Sequence, residues 1–283
     1  MFMELAIGDA YGAGFEYAAS SFVRERNRAT DYVRNPTHPQ VRPGSYTDDT
    51  QMTIAVAEVL LGHRPFTREA FADAFVRAFR RDPRAGYAGR FHDLLVTLKD
   101  GADLLARIRP YSDKSGAAMR ALPLGLLPSL EEVREVTQRQ ARITHDTPDG
   151  VRAAEAAALM AFYFVNNLGS RQGLADYLEA ILGRSWGGWK GKVGAQGWMS
   201  VRAAVTAVMG HTSLTSLLRA CVDFEGDVDT VACLALGAAS LSREYTHDLP
   251  AALLEGLEDG AYGRRYLVDL EASLRSRWKA GRS

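Results

Sequence analysis

Cysteine is almost absent from this chain: among its 283 residues only Cys221 and Cys233 occur. Both lie in helix-like surroundings without metal-ligand spacing, which excludes a disulfide framework and reads as two buried thiols in a reducing compartment. Net charge is absent too. Lys+Arg and Asp+Glu stand at 34 each, so no basic excess exists to hold nucleic acid or an anionic membrane nonspecifically. No run approaches the ~18 apolar residues that a membrane span needs, and no basic segment precedes an apolar one at the start. A cytoplasmic protein is the expectation. Alternating apolar and polar residues, long linkers, fixed-period repeats and low-complexity tails are all scarce or missing, which points to one domain over residues 1–283.

What remains is helical. Apolar residues recur at three and four positions along Phe71, Ala74, Phe75, Ala78 and Phe79, and again along Leu94, Leu95 and Leu98. Residues 52–61, 151–165 and 231–241 are apolar on nearly every face and rich in alanine, the pattern of central helices whose neighbours approach closely. Residues 130–142, 174–182, 214–222 and 267–278 are amphipathic and should coat that core. The class expected is all-α. The glycine-rich stretch 183–198, with Trp186, Trp189, Trp198, Lys190 and Lys192, reads either as a surface loop pinned by aromatics or as a mobile lid over a ligand.

Chemistry gathers at helix starts. Tyr46-Thr47-Asp48-Asp49-Thr50-Gln51 leads into the helix from Met52; taken alone, the block is satisfied by helix capping, worth about 0.5–2 kcal/mol. Gly226-Asp227-Val228-Asp229-Thr230 leads in the same way into the helix from Val231. If the two starts face each other, four carboxylates and two hydroxyls converge, and they cannot all remain charged without a cation. An all-oxygen set suits Mg²⁺, Mn²⁺ or Ca²⁺ rather than zinc. Two weaker elements are Gly8-Asp9-Ala10-Tyr11-Gly12-Ala13-Gly14-Phe15-Glu16 and Ser112-Asp113-Lys114-Ser115-Gly116-Ala117-Ala118-Met119-Arg120. The second is either a structural turn or a loop presenting amides to phosphate.

Together, in this order, these four elements resemble the ADP-ribosylglycohydrolase family. Gly8, Asp9, Gly12 and Glu16 meet its opening motif, Thr47 to Thr50 its Thr-Asp-Asp-Thr block, and Gly226, Asp227, Asp229 and Thr230 its Gly-Asp-x-Asp-Thr block. The resemblance implies a compact multi-helix domain with a dimetal cleft holding two Mg²⁺ or Mn²⁺ ions. Thr47, Asp48, Asp49, Asp227, Asp229 and Thr230 would be the ligands. Asp48, Asp49 or Glu16 would accept the water's proton or assist the leaving group, a choice that the sequence leaves open. Ser112, Asp113, Lys114, Ser115 and Gly116 would bind the pyrophosphate, and His145, beside Thr144, would lie near the substrate ribose, although a structural histidine would also fit that position.

The activity so implied is metal-dependent hydrolysis of the N- or O-glycosidic bond between ADP-ribose and an acceptor, with ADP-ribosylated protein or small molecule as partner. Departures from the family pattern keep other readings open. Lys114-Ser115-Gly116 stands where Gly-Asn-Gly is usual, Glu225 precedes Gly226 and adds charge near the metals, and residues 183–198 match no family element. The alternatives are a hydrolase of another ribosyl or phosphate compound on the same dimetal site, and a non-catalytic ADP-ribose-binding module.

Overall fold

A computed structural model describes residues 1–279 of the chain; residues 280–283, the end of the expected domain, lie outside the described residues. The fold is all-α. Its helices are α1 (Phe2–Ala13), α2 (Ser20–Arg26), α3 (Asp48–Leu61), α4 (Arg68–Arg81), α5 (Gly89–Thr97), α6 (Gly101–Arg107) and α7 (Leu130–Ala141). There follow α8 (Pro148–Val165), α9 (Leu174–Leu182), α10 (Gly197–Gly210), α11 (Leu214–Asp223), α12 (Val228–Ala239), α13 (Ala251–Gly256) and α14 (Arg264–Lys279). Extended pairing among the described residues is limited to isolated bridges, including Tyr111 with His145, Lys114 with Gln196 and Val193 with Gly226. No helix among the described residues is long and apolar enough to cross a membrane.

The three apolar segments become α3, α8 and α12, buried along almost their whole lengths. Leu241 lies beyond the end of α12 because that helix closes at Ala239. A fourth central helix joins them. α1 packs along α12, and its glycines explain how closely: a Cβ on Gly8 would lie 2.4 Å from the Ala232 carbonyl oxygen, and one on Gly12 would lie 2.4 Å from Asp229 Cα. Backbone therefore meets backbone, carrying Asp9 and Glu16 of the first segment to the acidic starts of α3 and α12. The amphipathic helices α4, α7, α9 and α11 cover this core with one buried face each.

Residues 183–198 are anchored to the body of the fold, as the reading of a loop pinned by aromatics has it. Trp186 is fully buried, where its apolar surface contributes about 1.5–3 kcal/mol, and Trp198 already belongs to α10. The Val193 N–H donates to the Glu225 carbonyl at 2.9 Å, the Asp227 N–H donates to the Val193 carbonyl at 3.1 Å, and the Ser115 N–H donates to the Ala195 carbonyl at 3.0 Å. This segment is a strap that ties the loop before α12 to the 112–120 loop.

Candidate active site

The capping explanation for Thr47 to Thr50 fails in an informative way. Neither Thr47 nor an aspartate of its own helix caps α3 with its side chain. Asp9, fully buried on α1, does it from outside: its carboxylate accepts the Thr47 amide at 3.0 Å, the Thr50 amide at 2.9 Å, the Thr47 hydroxyl at 2.7 Å and the Thr50 hydroxyl at 2.6 Å. The orphan amides of a helix start are thus satisfied in trans. Asp48 and Asp49 are left free of that duty, and Asp49 Oδ1, though buried, has no hydrogen-bond partner.

The start of α12 has no such cap from another helix among the described residues. Asp227 does not cap the helix with its side chain; its Oδ2 accepts from the Ser200 hydroxyl at 2.8 Å. Asp229 Oδ1 accepts the Thr230 amide at 2.9 Å. Glu16 arrives from the end of α1, and oxygens of Glu16, Asp227 and Asp229 lie within 4.8 Å of one another. Burial comes first in raising the pKa of every acid here, and like charge adds to it for most: Asp48, Asp49 and Asp229 go well above the usual carboxylate range, Asp227 and Asp9 also rise, and Glu16 is pushed up to about 8. For Glu16, Asp227 and Asp9 supply the repulsion.

A cavity of about 1200 Å³ is lined, among others, by Glu16, Asp48, Asp49, Asp227, Asp229 and Thr230. Thr47 lies behind the wall, bonded to Asp9, and is not among the lining residues. Of the 112–120 loop, Ser112, Lys114, Ser115, Gly116, Met119 and Arg120 line the cavity and the exposed Asp113 does not. The amides of that loop are largely spoken for: the Lys114 N–H donates to Ser112 Oγ at 3.2 Å and the Ser115 N–H to the strap. His145 lines the same wall beside Thr144. Burial and then the nearby Arg120 charge push its pKa down to about 3, so the imidazole is neutral.

Glu225, expected to add charge near the acids, turns out to be neutralised elsewhere. It pairs with Lys192 at 2.7 Å and accepts from the Ser20 hydroxyl at 2.6 Å, contacts that lower its pKa.

Sequence reasoning missed much of the rest of the cavity lining. Tyr87, Arg90, Phe91, Leu94, Arg107, Ile108, Arg109 and Tyr111 belong to it, and no periodic pattern marks residues 86–94 or 107–111 as neighbours. Arg90, Arg109 and the Lys114 ammonium make no ion pair or hydrogen bond among the described residues. Tyr17 was also missed: it lines the same cavity, 49% exposed, with a left-handed backbone at φ 50° fixed by its N–H donating to the Gly226 carbonyl at 3.0 Å. The cavity lining therefore combines buried acids with exposed basic and aromatic side chains.

The ADP-ribosylglycohydrolase family description matches residues 3–282. The chain is 24% identical over 276 residues to the ADP-ribosyl-[dinitrogen reductase] glycohydrolase of Rhodospirillum rubrum, covering 91% of this chain and 88% of that one. It is 23% identical over 273 residues to the ADP-ribosylarginine hydrolase Tri1 of Serratia proteamaculans, covering 89% and 73%. An uncharacterised protein of Archaeoglobus fulgidus is 28% identical over 180 residues, an alignment spanning 58% of that protein's length. The solved structure of an ADP-ribosylglycohydrolase-related protein complex shares the fold, with a TM-score of 0.70 at 23% identity over 98% of this chain and 95% of the other. The chain belongs to the ADP-ribosylglycohydrolase family.

Proposed function

We propose that this protein hydrolyses the bond between the anomeric carbon of ADP-ribose and an acceptor nitrogen or oxygen, with two divalent cations, Mg²⁺ or Mn²⁺, at the buried acids. The single observation that carries the reading is that one cavity is lined both by the buried acids and by unpaired Arg90, Arg109 and Lys114. ADP-ribose calls for both kinds of group, with a pyrophosphate at its middle and an uncharged, reactive ribose at one end.

The residues present fit the cations. Their donors are all oxygens, as hard ions require; Asp49 Oδ1 is buried without a partner; and the cluster is held above its ordinary protonation range in the absence of positive charge. Asp48, Asp49, Asp227, Asp229 and Thr230 would hold them from the cavity side. Thr47 would complete the set, since its hydroxyl hydrogen is directed to Asp9 and its lone pairs stay available. When bound, such ions orient ribose hydroxyls and lower the pKa of water.

The rest of the reaction belongs to side chains. Lys114 and the two arginines hold the pyrophosphate and the adenosine half, with Phe91 and Tyr111 offering flat apolar surface. Asp9, by fixing both threonines, keeps Asp48 and Asp49 in place. Glu16 has no side-chain hydrogen bond among the described residues and lines the cavity beside the acids, which leaves its carboxylate available to pass a proton between water and the departing acceptor. In the balanced step the C1–acceptor bond breaks, a C1–O bond to water forms, and the acceptor leaves with a proton.

The test is chromatographic detection of free ADP-ribose released from ADP-ribosylated arginine and from an ADP-ribosylated serine peptide, with Mg²⁺, with Mn²⁺ and with chelator. Release that chelation abolishes supports the reading, and the preferred substrate identifies the acceptor. Release from neither, together with no calorimetric binding of ADP-ribose, overturns it in favour of another ribosyl or phosphate substrate.

A further inference from the structure

Arg120 is 1% exposed and has no carboxylate in ion-pair contact among the described residues. Its Nε donates to Gln140 Oε1 at 2.7 Å, its Nη2 donates to the Gln140 carbonyl at 3.3 Å and to Thr144 Oγ1 at 2.8 Å, and its guanidinium lies 4.2 Å from the centre of the Phe75 ring. Burying a cation without a counter-ion is costly, so what this one touches matters. All its acceptors are neutral oxygens, and one is the hydroxyl that stands 2.7 Å from His145 Nδ1.

A threonine hydroxyl has one hydrogen and two lone pairs. Arginine can only donate, so one lone pair of Thr144 Oγ1 is taken by Arg120. The hydroxyl hydrogen then has one acceptor within reach among the described residues, His145 Nδ1. The opposite arrangement, Nδ1–H donating to Thr144, would leave a buried hydroxyl hydrogen without a partner and lose its bond energy. Donation from Arg120 also polarises the hydroxyl and strengthens its own donation. Nδ1 is therefore the acceptor and the ring hydrogen sits on Nε2.

That edge of the ring faces the substrate loop. A Cβ on Gly116 would lie 3.0 Å from His145 Cε1 and 3.3 Å from Nε2, and both residues line the cavity. The surroundings hold the ring there as well, through the main-chain bridge of Tyr111 to His145 and the Gln140 side chain, whose Nε2 donates to the Ala117 carbonyl at 3.2 Å. We propose that Arg120, acting through the Thr144 hydroxyl, locks His145 as the Nε2–H tautomer, so that His145 is a fixed hydrogen-bond donor to a substrate oxygen beside Gly116 and not a proton-transfer group. Arg120 and Thr144 are positioning residues. The identity of that oxygen, a ribose hydroxyl or a phosphate, rests on the ADP-ribosyl reading; the tautomer does not.

Long-range ¹H–¹⁵N correlation spectra of the imidazoles in the full chain read the tautomer directly. His145 of the wild type should show a protonated Nε2 and an unprotonated Nδ1. Thr144→Val, which keeps the shape and removes the hydroxyl, should populate Nδ1–H, and Thr144→Ser should restore the wild-type pattern. Affinity for ADP-ribose should fall about tenfold in Thr144→Val and recover in Thr144→Ser. Nδ1–H in the wild type, or an unchanged tautomer in a folded Thr144→Val, overturns the proposal. The wild-type spectrum alone is decisive if the valine variant fails to fold. Wild-type protein that shows the Nε2–H tautomer but binds no ADP-ribose supports the lock and counts against the ADP-ribosyl reading alone.

Discussion

Asp9 accepts both the amide and the hydroxyl of Thr50, at 2.9 and 2.6 Å, and so closes the start of α3 from a different helix. With Thr47 bound in the same way, the carboxylate replaces the local cap that would otherwise consume Asp48 or Asp49. Asp9→Asn removes charge and half of the accepting capacity. In Mg²⁺ the variant should lose on the order of 3 kcal/mol, the scale of lost charge-assisted hydrogen bonds and stranded buried donors. Without metal the loss should be smaller, because removing one charge also relieves repulsion among the remaining acids. Denaturant unfolding in both conditions checks this, and equal losses would contradict it.

The protonation of the buried acids sets how stability depends on pH. Glu16 has a folded pKa of about 8 against an ordinary value of 4.5, and Asp48, Asp49 and Asp229 are raised as well. A raised folded pKa means that the native state binds more protons than the unfolded chain, so stability is greatest below the unfolded pKa and is lost as pH rises through the folded one. Metal-free protein should therefore show a falling Tm from about pH 4.5 to 8. Saturating Mg²⁺ should flatten the curve and raise it most at the alkaline end. Differential scanning calorimetry across that window, with and without chelator, measures both effects; a metal-free Tm that climbs with pH would contradict the account.

The fold was legible where a segment is apolar on every side. α3, α8 and α12 carry that signature in their own residues. α1 does not, because Gly8, Asp9 and Gly12 interrupt its apolar face, and those glycines make sense only against the backbone of α12. The acids were legible for a related reason: each pair sits next to a buried helix, a costly place for charge. The basic and aromatic lining was not, because Arg90, Arg109 and Tyr111 come together through the placement of short helices and loops that no local period encodes. Glu225 was misjudged because adjacency to Asp227 in sequence says nothing of Lys192, whose ammonium takes its charge.

Glu16 separates metal binding from turnover. It touches Asp227 and Asp229 in the cluster, yet the proposed role is proton transfer. Glu16→Gln should retain a rise of Tm with Mg²⁺ while kcat falls by about 100-fold or more. Steady-state kinetics and thermal melts of the same preparation give both numbers. A lost Mg²⁺ response would move Glu16 into the ligand set, and an unchanged kcat would remove it from the mechanism.

The basic lining predicts a salt-dependent component of binding. Arg90 and Arg109 are exposed and unpaired, so replacing both by alanine should leave stability nearly unchanged. Affinity for ADP-ribose should drop about tenfold at low ionic strength, with a smaller drop near 1 M salt, where screening shortens the reach of charge to about 3 Å. Isothermal titration at the two salt concentrations tests this. A salt-independent loss would point to contact with the base rather than with phosphate.

The loop before α12 depends on a glycine for two reasons at once. Gly226 has φ 93°, and a Cβ there would lie 1.9 Å from the Val193 carbonyl oxygen, the same oxygen that accepts the Asp227 amide. Gly226→Ala must push the strap away or swing Asp227, and Ser115 is tied to the same strap through Ala195. Gly183 supplies the control: it also has positive φ, at 66°, but nothing lies within 4 Å of its Cβ position. Gly183→Ala should cost about 1 kcal/mol and keep its full Mg²⁺ response. Gly226→Ala should cost more than the 1–3 kcal/mol of backbone strain alone and should lose most of that response. Melts of both variants with and without Mg²⁺ decide the matter: a Gly226→Ala protein that responds to the cation as Gly183→Ala does would mean that the strap does not hold Asp227 in the geometry that cations need.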